Sequence, residues 1–361
     1  DNKMKKKLVG MLATATLLTM ALAGNVQAAE IRSVGPDGEA AVDASTIELT
    51  DDQIAQIKEG GYTAAICLHY GGNDWSTSQQ KGLEDTFGEL GIEIVAVTDA
   101  NFSAETQVSN IETVMAKKPD ILVSIPTDAT ATADAYKQAA AAGIKIVFMD
   151  QRADGLEAGK DYVSVVSADN YGNGYASGTV LGDALGGKGK VAMVYYDANF
   201  APTNQRDEGF RDAMKNYPDI EIVTEQGFTD ESGCAEQGDA ILTQFPNIDG
   251  IYASWDVPME GVLSAVRAAG MEGKVTLACN DLGNNVAREI ASGNIAGGGA
   301  QMPYDQGVAE AKLAALALLG EETPSYVAVP AETVTHENVL EAYTDVYHVE
   351  TPDWLKEAYV E

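Results

Sequence analysis

From Thr63 onward, short apolar runs alternate with longer stretches in which apolar residues recur every three or four positions. The short runs predict strands over 64–68, 92–97, 121–125, 144–149, 163–166, 191–195, 220–223, 248–253 and 275–279. The longer stretches predict helices over 78–90, 105–115, 131–142, 171–185, 205–217, 235–244, 259–269, 286–292 and 306–319. Many of the strand runs are apolar throughout, as expected when helices cover both faces of a sheet. Strict alternation of strand and helix predicts the α/β class, with doubly wound parallel sheets and right-handed crossovers.

The pattern is written twice. Gly82-Leu83-Glu84-Asp85-Thr86-Phe87 leads into Ile92-Glu93-Ile94-Val95. About 127 residues later, Gly209-Phe210-Arg211-Asp212-Ala213-Met214 leads into Ile220-Glu221-Ile222-Val223. Asp128 lies fifteen residues before Gly143, as Asp256 lies fourteen before Gly270, and the strands that follow close on Asp150 and Asp281. A duplicated unit predicts two similar lobes with a cleft between them. Doubly wound sheets bind ligands beyond the carboxyl ends of their strands. The residues at those ends are His69, Tyr70, Thr127, Asp128, Asp150, Gln151, Tyr196, Trp255, Asp256, Asn280 and Asp281. They donate and accept hydrogen bonds, a few are aromatic, and none is lysine, which argues against a phosphate or nucleotide site.

The ends of the chain change the picture of where it works. Lys3, Lys5, Lys6 and Lys7 precede an apolar run from Leu8 to Ala23, and Val26-Gln27-Ala28 offers a small-x-small exit. This predicts a signal peptide over residues 1–28 and export to the periplasm. Sixteen apolar residues fall short of the roughly 20 that span a bilayer. Position 25 is Asn, so the cysteine of a lipid anchor is lacking there. The whole chain carries 23 basic and 55 acidic residues, a net charge of −32; without residues 1–28 the counts become 19 and 54. Such a surface repels phosphate backbones and anionic lipid, so no nucleic acid partner is expected. The three cysteines, Cys67, Cys234 and Cys279, have no CxxC or Cys/His spacing, which leaves neither a disulfide framework nor a zinc site.

Catalytic patterns are also lacking. His69, His336 and His348 sit in no triad or elbow motif, and the turn after the first core strand, His69-Tyr70-Gly71-Gly72-Asn73-Asp74-Trp75, is no GxGxxG. Gly186-Gly187-Lys188-Gly189-Lys190 precedes a strand, where a phosphate loop would follow one, and reads as a surface turn. The strand-end acids are interleaved with Asn, Gln and Trp, a mixture suited to hydroxyl groups rather than to a metal. Sugar hydroxyls both donate and accept, which carboxylates and amides satisfy in pairs. Sugar C–H faces stack on indoles, and Trp75 and Trp255 stand beside strand ends in the two halves.

On these residues, and on Pro126-Thr127-Asp128, Val147-Phe148-Met149-Asp150, Ser167-Ala168-Asp169-Asn170, Glu208-Gly209-Phe210 and Gln301-Met302-Pro303-Tyr304-Asp305-Gln306-Gly307, the chain resembles periplasmic sugar-binding proteins of the ribose/galactose-binding type. The likeness runs from Thr63 to about Val329. It implies a type I periplasmic binding fold of two Rossmann-like lobes joined by a three-strand hinge, with crossings near Ala168, Gln301 and Val329. Lobe 1 would comprise 61–168 and 302–329, and lobe 2 would comprise 169–301 and 330–348. Segments 29–60 and 349–361 would pack against the lobes. The resemblance implies ligand contacts from His69, Asn73, Trp75, Asp150 and Gln151 in the first lobe, from Asn204, Trp255 and Asp281 in the second, and from Gln301 in the hinge. Asp256 joins them from the half-repeat, while Asp128 is assigned to a helix cap. Ribose binders resembling this chain carry arginine where Gln151 and Asn204 stand and asparagine where Trp255 stands. Loss of two guanidinium groups argues against ribose and against acidic sugars.

The expectation is a monomeric substrate-binding component of an ABC importer, closing on a small neutral monosaccharide, polyol or cyclitol and handing it to the permease. No cofactor, metal or catalysis is expected. A signalling receptor for a furanosyl autoinducer or a chemotaxis ligand is the alternative, and a glycosidase using two strand-end acids is a third. Repressors of the same fold carry a DNA-binding head where this chain has a leader and an acidic segment.

Overall fold

The computed structural model describes residues 30–361; the signal-peptide expectation at 1–28 lies outside them. The first sheet has seven parallel strands in the order β1-β12-β6-β5-β4-β2-β3, and the second has six in the order β13-β11-β10-β9-β7-β8. Lobe 1 is built on β1 (Val42–Asp43), β2 (Thr63–Leu68), β3 (Glu93–Asp99), β4 (Ile121–Ser124), β5 (Lys145–Met149), β6 (Ser164–Ala168) and β12 (Tyr326–Val329). Lobe 2 is built on β7 (Lys188–Tyr196), β8 (Asp219–Phe228), β9 (Gly250–Ala253), β10 (Thr276–Cys279), β11 (Gly297–Ala300) and β13 (Glu332–Thr335). All pairings are parallel except β11 with β13. The chain passes between sheets after Ala168, after Ala300 and between Val329 and Glu332, so the lobes share three crossings.

The helices of lobe 1 are α1 (Asp51–Gly60), α2 (Asp74–Glu89), α3 (Ala104–Ala116), α4 (Ala133–Ala141) and α10 (Pro303–Leu318). Those of lobe 2 are α5 (Asn170–Ala184), α6 (Ala201–Met214), α7 (Cys234–Gln244), α8 (Asp256–Ala268), α9 (Asn284–Ala291), α11 (Val339–Tyr347) and α12 (Asp353–Ala358). The repeated glycines mark one crossing made twice. A Cβ on Gly82 of α2 would lie 2.2 Å from Tyr304 O of α10, and one on Gly209 of α6 would lie 2.1 Å from Tyr171 O of α5. Only a hydrogen fits where two helix backbones touch, so each half keeps its glycine.

Strand β11, Gly297-Gly298-Gly299-Ala300, was not predicted, because it has almost no side chains to show a period. Tertiary packing accounts for it: a Cβ on Gly299 would lie 2.3 Å from Asn173 O of α5, and one on Gly298 would lie 1.7 Å from Cys279 O of β10. Among the described residues, the segments before β2 and after α11 pack onto the lobes. Thr50 and Gln53 form a reciprocal capping box at the start of α1, β1 adds to β12, and Leu355 of α12 is buried in the lobe 2 core. Near the first crossing, Asp169 accepts hydrogen bonds from Arg32 N, Ser33 N and Ser33 Oγ, each within 2.9 Å.

Candidate ligand-binding cleft

The carboxyl ends of the two sheets face each other, and twelve residues from both lobes and a crossing line one pocket there. Lobe 1 gives His69, Tyr70, Trp75, Phe102 and Asp150; lobe 2 gives Tyr196, Phe200, Thr203, Arg206, Trp255 and Asp281; Gln301 comes from the crossing into α10. The space between these side chains, open mouth included, is about 390 Å³. Seven rings wall it. Tyr70 stacks on Phe102 with centroids 4.2 Å apart, His69 lies parallel to Phe200 across the cleft at 5.9 Å, and Tyr196 meets Trp255 edge-on at 5.6 Å.

Asp150 and Asp281 each follow a core strand and each adopts the left-handed backbone region, with φ of 61° and 73°. That conformation is uncommon for a residue with a Cβ, and it occurs at the same place in both halves. Asp150 Oδ1 accepts from Gln306 Nε2 at 2.8 Å and from Ser167 Oγ at 3.3 Å. Asp281 accepts from Gln301 Nε2, and Gln301 Oε1 accepts from the Trp75 indole at 3.2 Å. Burial pushes the Asp150 carboxyl up to about 6 against the pull of Arg206, and burial also raises Asp281. Burial and the Arg206 charge push His69 down to about 3, so its ring is neutral. His69 Nδ1 is buried without a protein partner.

Arg206 is the residue the sequence reading missed. It is buried, donating from Nε to Asn170 Oδ1 at 2.9 Å and from Nη1 to Ser254 O at 3.3 Å. Those two bonds use only part of its five donors. Asn204, the expected contact, is exposed on α6. Asn204 was expected from the resemblance alone; α6 starts at Ala201, with Pro202 in its first turn, and it is Thr203 and Arg206, three residues apart, that share the face on the cleft. A guanidinium therefore faces the cleft, although positions 151 and 204 do not supply it. With two carboxylates against one guanidinium the wall still carries excess acid, which disfavours an anionic ligand.

Three other expected contacts stand outside the pocket wall. Asn73 caps α2, its Oδ1 accepting from Ser76 N at 2.7 Å. Gln151 commits both ends of its amide to protein, donating to Pro126 O at 3.0 Å and accepting from Ala201 N at 3.1 Å. Asp256 lies behind the wall, accepting from Gly283 N and Val257 N at 2.9 Å each. Asp128 accepts from Thr130 N and Ala131 N in the turn before α4. Among the described residues no group of three or more His, Cys, Asp or Glu could hold a metal ion, and no helix is long and apolar enough to cross a membrane.

The model of the periplasmic binding protein domain matches residues 64–322. This chain belongs to that family. The D-ribose/D-allose-binding protein of Pseudomonas aeruginosa is 29% identical over 273 residues, 73% of this chain and 83% of that protein. The ribose import binding protein of Salmonella typhimurium is 24% identical over 272 residues, 75% and 90% of the two chains. An ABC transporter periplasmic solute binding protein from Actinobacillus succinogenes, solved with bound D-allose, superposes with a TM-score of 0.71 at 29% identity, over 77% of this chain and 99% of that one. The two-lobed α/β fold is that of the family.

Proposed function

We propose that this chain is the substrate-binding component of an ABC sugar importer, taking one neutral monosaccharide, polyol or cyclitol between its lobes. One observation carries the reading: acids on both lobes, a half-used guanidinium and an unpartnered imidazole converge on a pocket walled by rings. Ring C–H faces lie against the aromatic wall while hydroxyls accept from Arg206 and donate to Asp150 and Asp281. Only the shut form gathers contacts from both lobes, so the ligand shifts the population toward it by its differential affinity. His69, Tyr70, Trp75, Asp150, Thr203, Arg206, Trp255, Asp281 and Gln301 are the contacts this reading assigns. The likeness to relatives named for ribose and allose supports the ligand class, and the family's role in transport supports a permease partner, a periplasmic location and the absence of chemistry on the sugar. Isothermal titration against D-allose, D-ribose, D-arabinose, allitol and myo-inositol tests it. Saturable one-site binding of at least one, with the ligand recovered intact, is expected; heat-silent titration across the panel, or a hydrolysed ligand, overturns it.

A further inference from the structure

Helices α1, α2 and α3 of lobe 1 bring their own N-caps: Thr50, Asn73 and Ser103 each accept a backbone N–H of their first turn. Lobe 2 helices α6 and α9, which start at the cleft as α8 also does, do not. The residue before α9 is Gly283, which has no side chain, and a Cβ there would lie 2.2 Å from Asp256 Oδ2. The residue before α6 is Phe200, whose ring belongs to the aromatic wall. Neither has a side chain that can accept a hydrogen bond, so the first N–H groups of both helices need partners from elsewhere.

The other lobe supplies one for each helix, beside the bond that Gly283 N makes to Asp256 within lobe 2. Asp74 of lobe 1, the residue before Trp75, accepts from Asn284 N at 2.7 Å, and Asn284 is the first residue of α9. Gln151 of lobe 1 accepts from Ala201 N at 3.1 Å, and Ala201 is the first residue of α6. Gln151 is itself fixed by its bond to Pro126 O. The same device occurs twice, on different strand ends and different helices. At α9 the capping group is an anion at the positive end of the helix.

We propose that Asp74 and Gln151 are trans-lobe helix caps: they satisfy α9 and α6 only while the lobes are shut, and so give closure a stabilisation independent of the ligand. The bonds break when the lobes part, because each joins residues of different lobes. Water replaces them at the open helix ends, and the difference sets the resting balance of the two forms. Neither side chain lines the pocket, so both are positioning residues. Asp74 also ties the first turn of α2, with its Trp75, to lobe 2 through a bond separate from the Trp75–Gln301 contact.

The test reads closure without sugar. The three native cysteines are buried, so spin labels on Glu105→Cys and Asp239→Cys, one exposed site in each lobe, report interlobe distance by double electron–electron resonance. The ligand-free wild type is expected to show both a short-distance and a long-distance population. Asp74→Ala and Gln151→Ala should each lower the short-to-long ratio about fivefold, the usual worth of an N-cap side chain. The two caps share no partner, so the double variant should lower it about 25-fold. Asp74→Asn, which keeps an accepting oxygen, should restore most of the ratio. Far-UV dichroism shows that each variant is folded. A wild type with no short-distance population, or alanine variants with the wild-type ratio, overturns the proposal. Failure to bind any sugar would instead strike the functional reading, because the distance measurement uses none.

Discussion

Asp150 and Asp281 hold matching places in the two lobes yet are supported differently. Both end a core strand in the left-handed backbone region and both face the pocket. Asp150 is held within its own lobe by Gln306 of α10 and Ser167 of β6. Asp281 is held by Gln301 at a crossing, and Gln301 in turn holds the indole of Trp75 in the opposite lobe. Duplication therefore set the two acids, and divergence in the second half wired one of them across the hinge. Asp150 acts as a fixed acceptor. Asp281 also reports on where lobe 1 stands.

The largest expected effect tests that difference directly. Asp281→Ala should weaken the tightest-binding sugar of the panel on the order of 1000-fold, and Asp150→Ala about 100-fold. Each removes a charge-assisted acceptor worth about 1.5–3 kcal/mol, but only the first also frees Gln301 and Trp75. Equal losses by calorimetry would break the comparison.

Acidity gives the next effect. Burial raises Asp150 to about 6, so the folded state binds its proton more tightly than the unfolded chain does. Its stabilising contribution is full below about pH 4 and is lost as pH rises through about 6, on the order of 3 kcal/mol. Asp150→Asn should remove this contribution, read as the difference in Tm from wild type by scanning calorimetry. Buried Asp207, also raised to about 6, adds to the fall with pH, and His69, held down to about 3, opposes it. Sugar affinity should run the opposite way, rising with pH through about 6 as the carboxylate acceptor ionises. An Asp150→Asn variant whose Tm follows the wild-type pH dependence between about pH 4 and 7 would contradict this account of Asp150.

Smallest are the indole changes. Trp75→Phe removes the donor to Gln301 and should cost about fivefold in affinity, as one neutral hydrogen bond does. Trp255→Phe removes the donor to Glu231, outside the Asp281 chain, and should be milder. Trp354, packed on Tyr343 and Arg288 away from the cleft, remains as a fluorescence reference in both. A larger loss from Trp255→Phe would show that Glu231, not Gln301, is the coupling that matters.

Much of this protein is determined by its sequence alone. Apolar runs that need cover on both faces dictate parallel sheets, the doubled Gly82 and Gly209 motifs dictate two like lobes, and the strand-end rule leads to His69, Trp75, Asp150, Trp255 and Asp281 without any coordinates. Tertiary structure decided the rest. Arg206 became a cleft residue because packing turned the face of α6 that carries Thr203 and Arg206 toward the pocket, and periodicity within one helix does not say which face meets a cleft. β11 is a strand because Asn173 O and Cys279 O leave no room for side chains, a fact about neighbours that three glycines cannot announce. Gln151 and Asp74 became caps because the helix ends that need them lie in the other lobe, and no local pattern records a partner brought close only by folding.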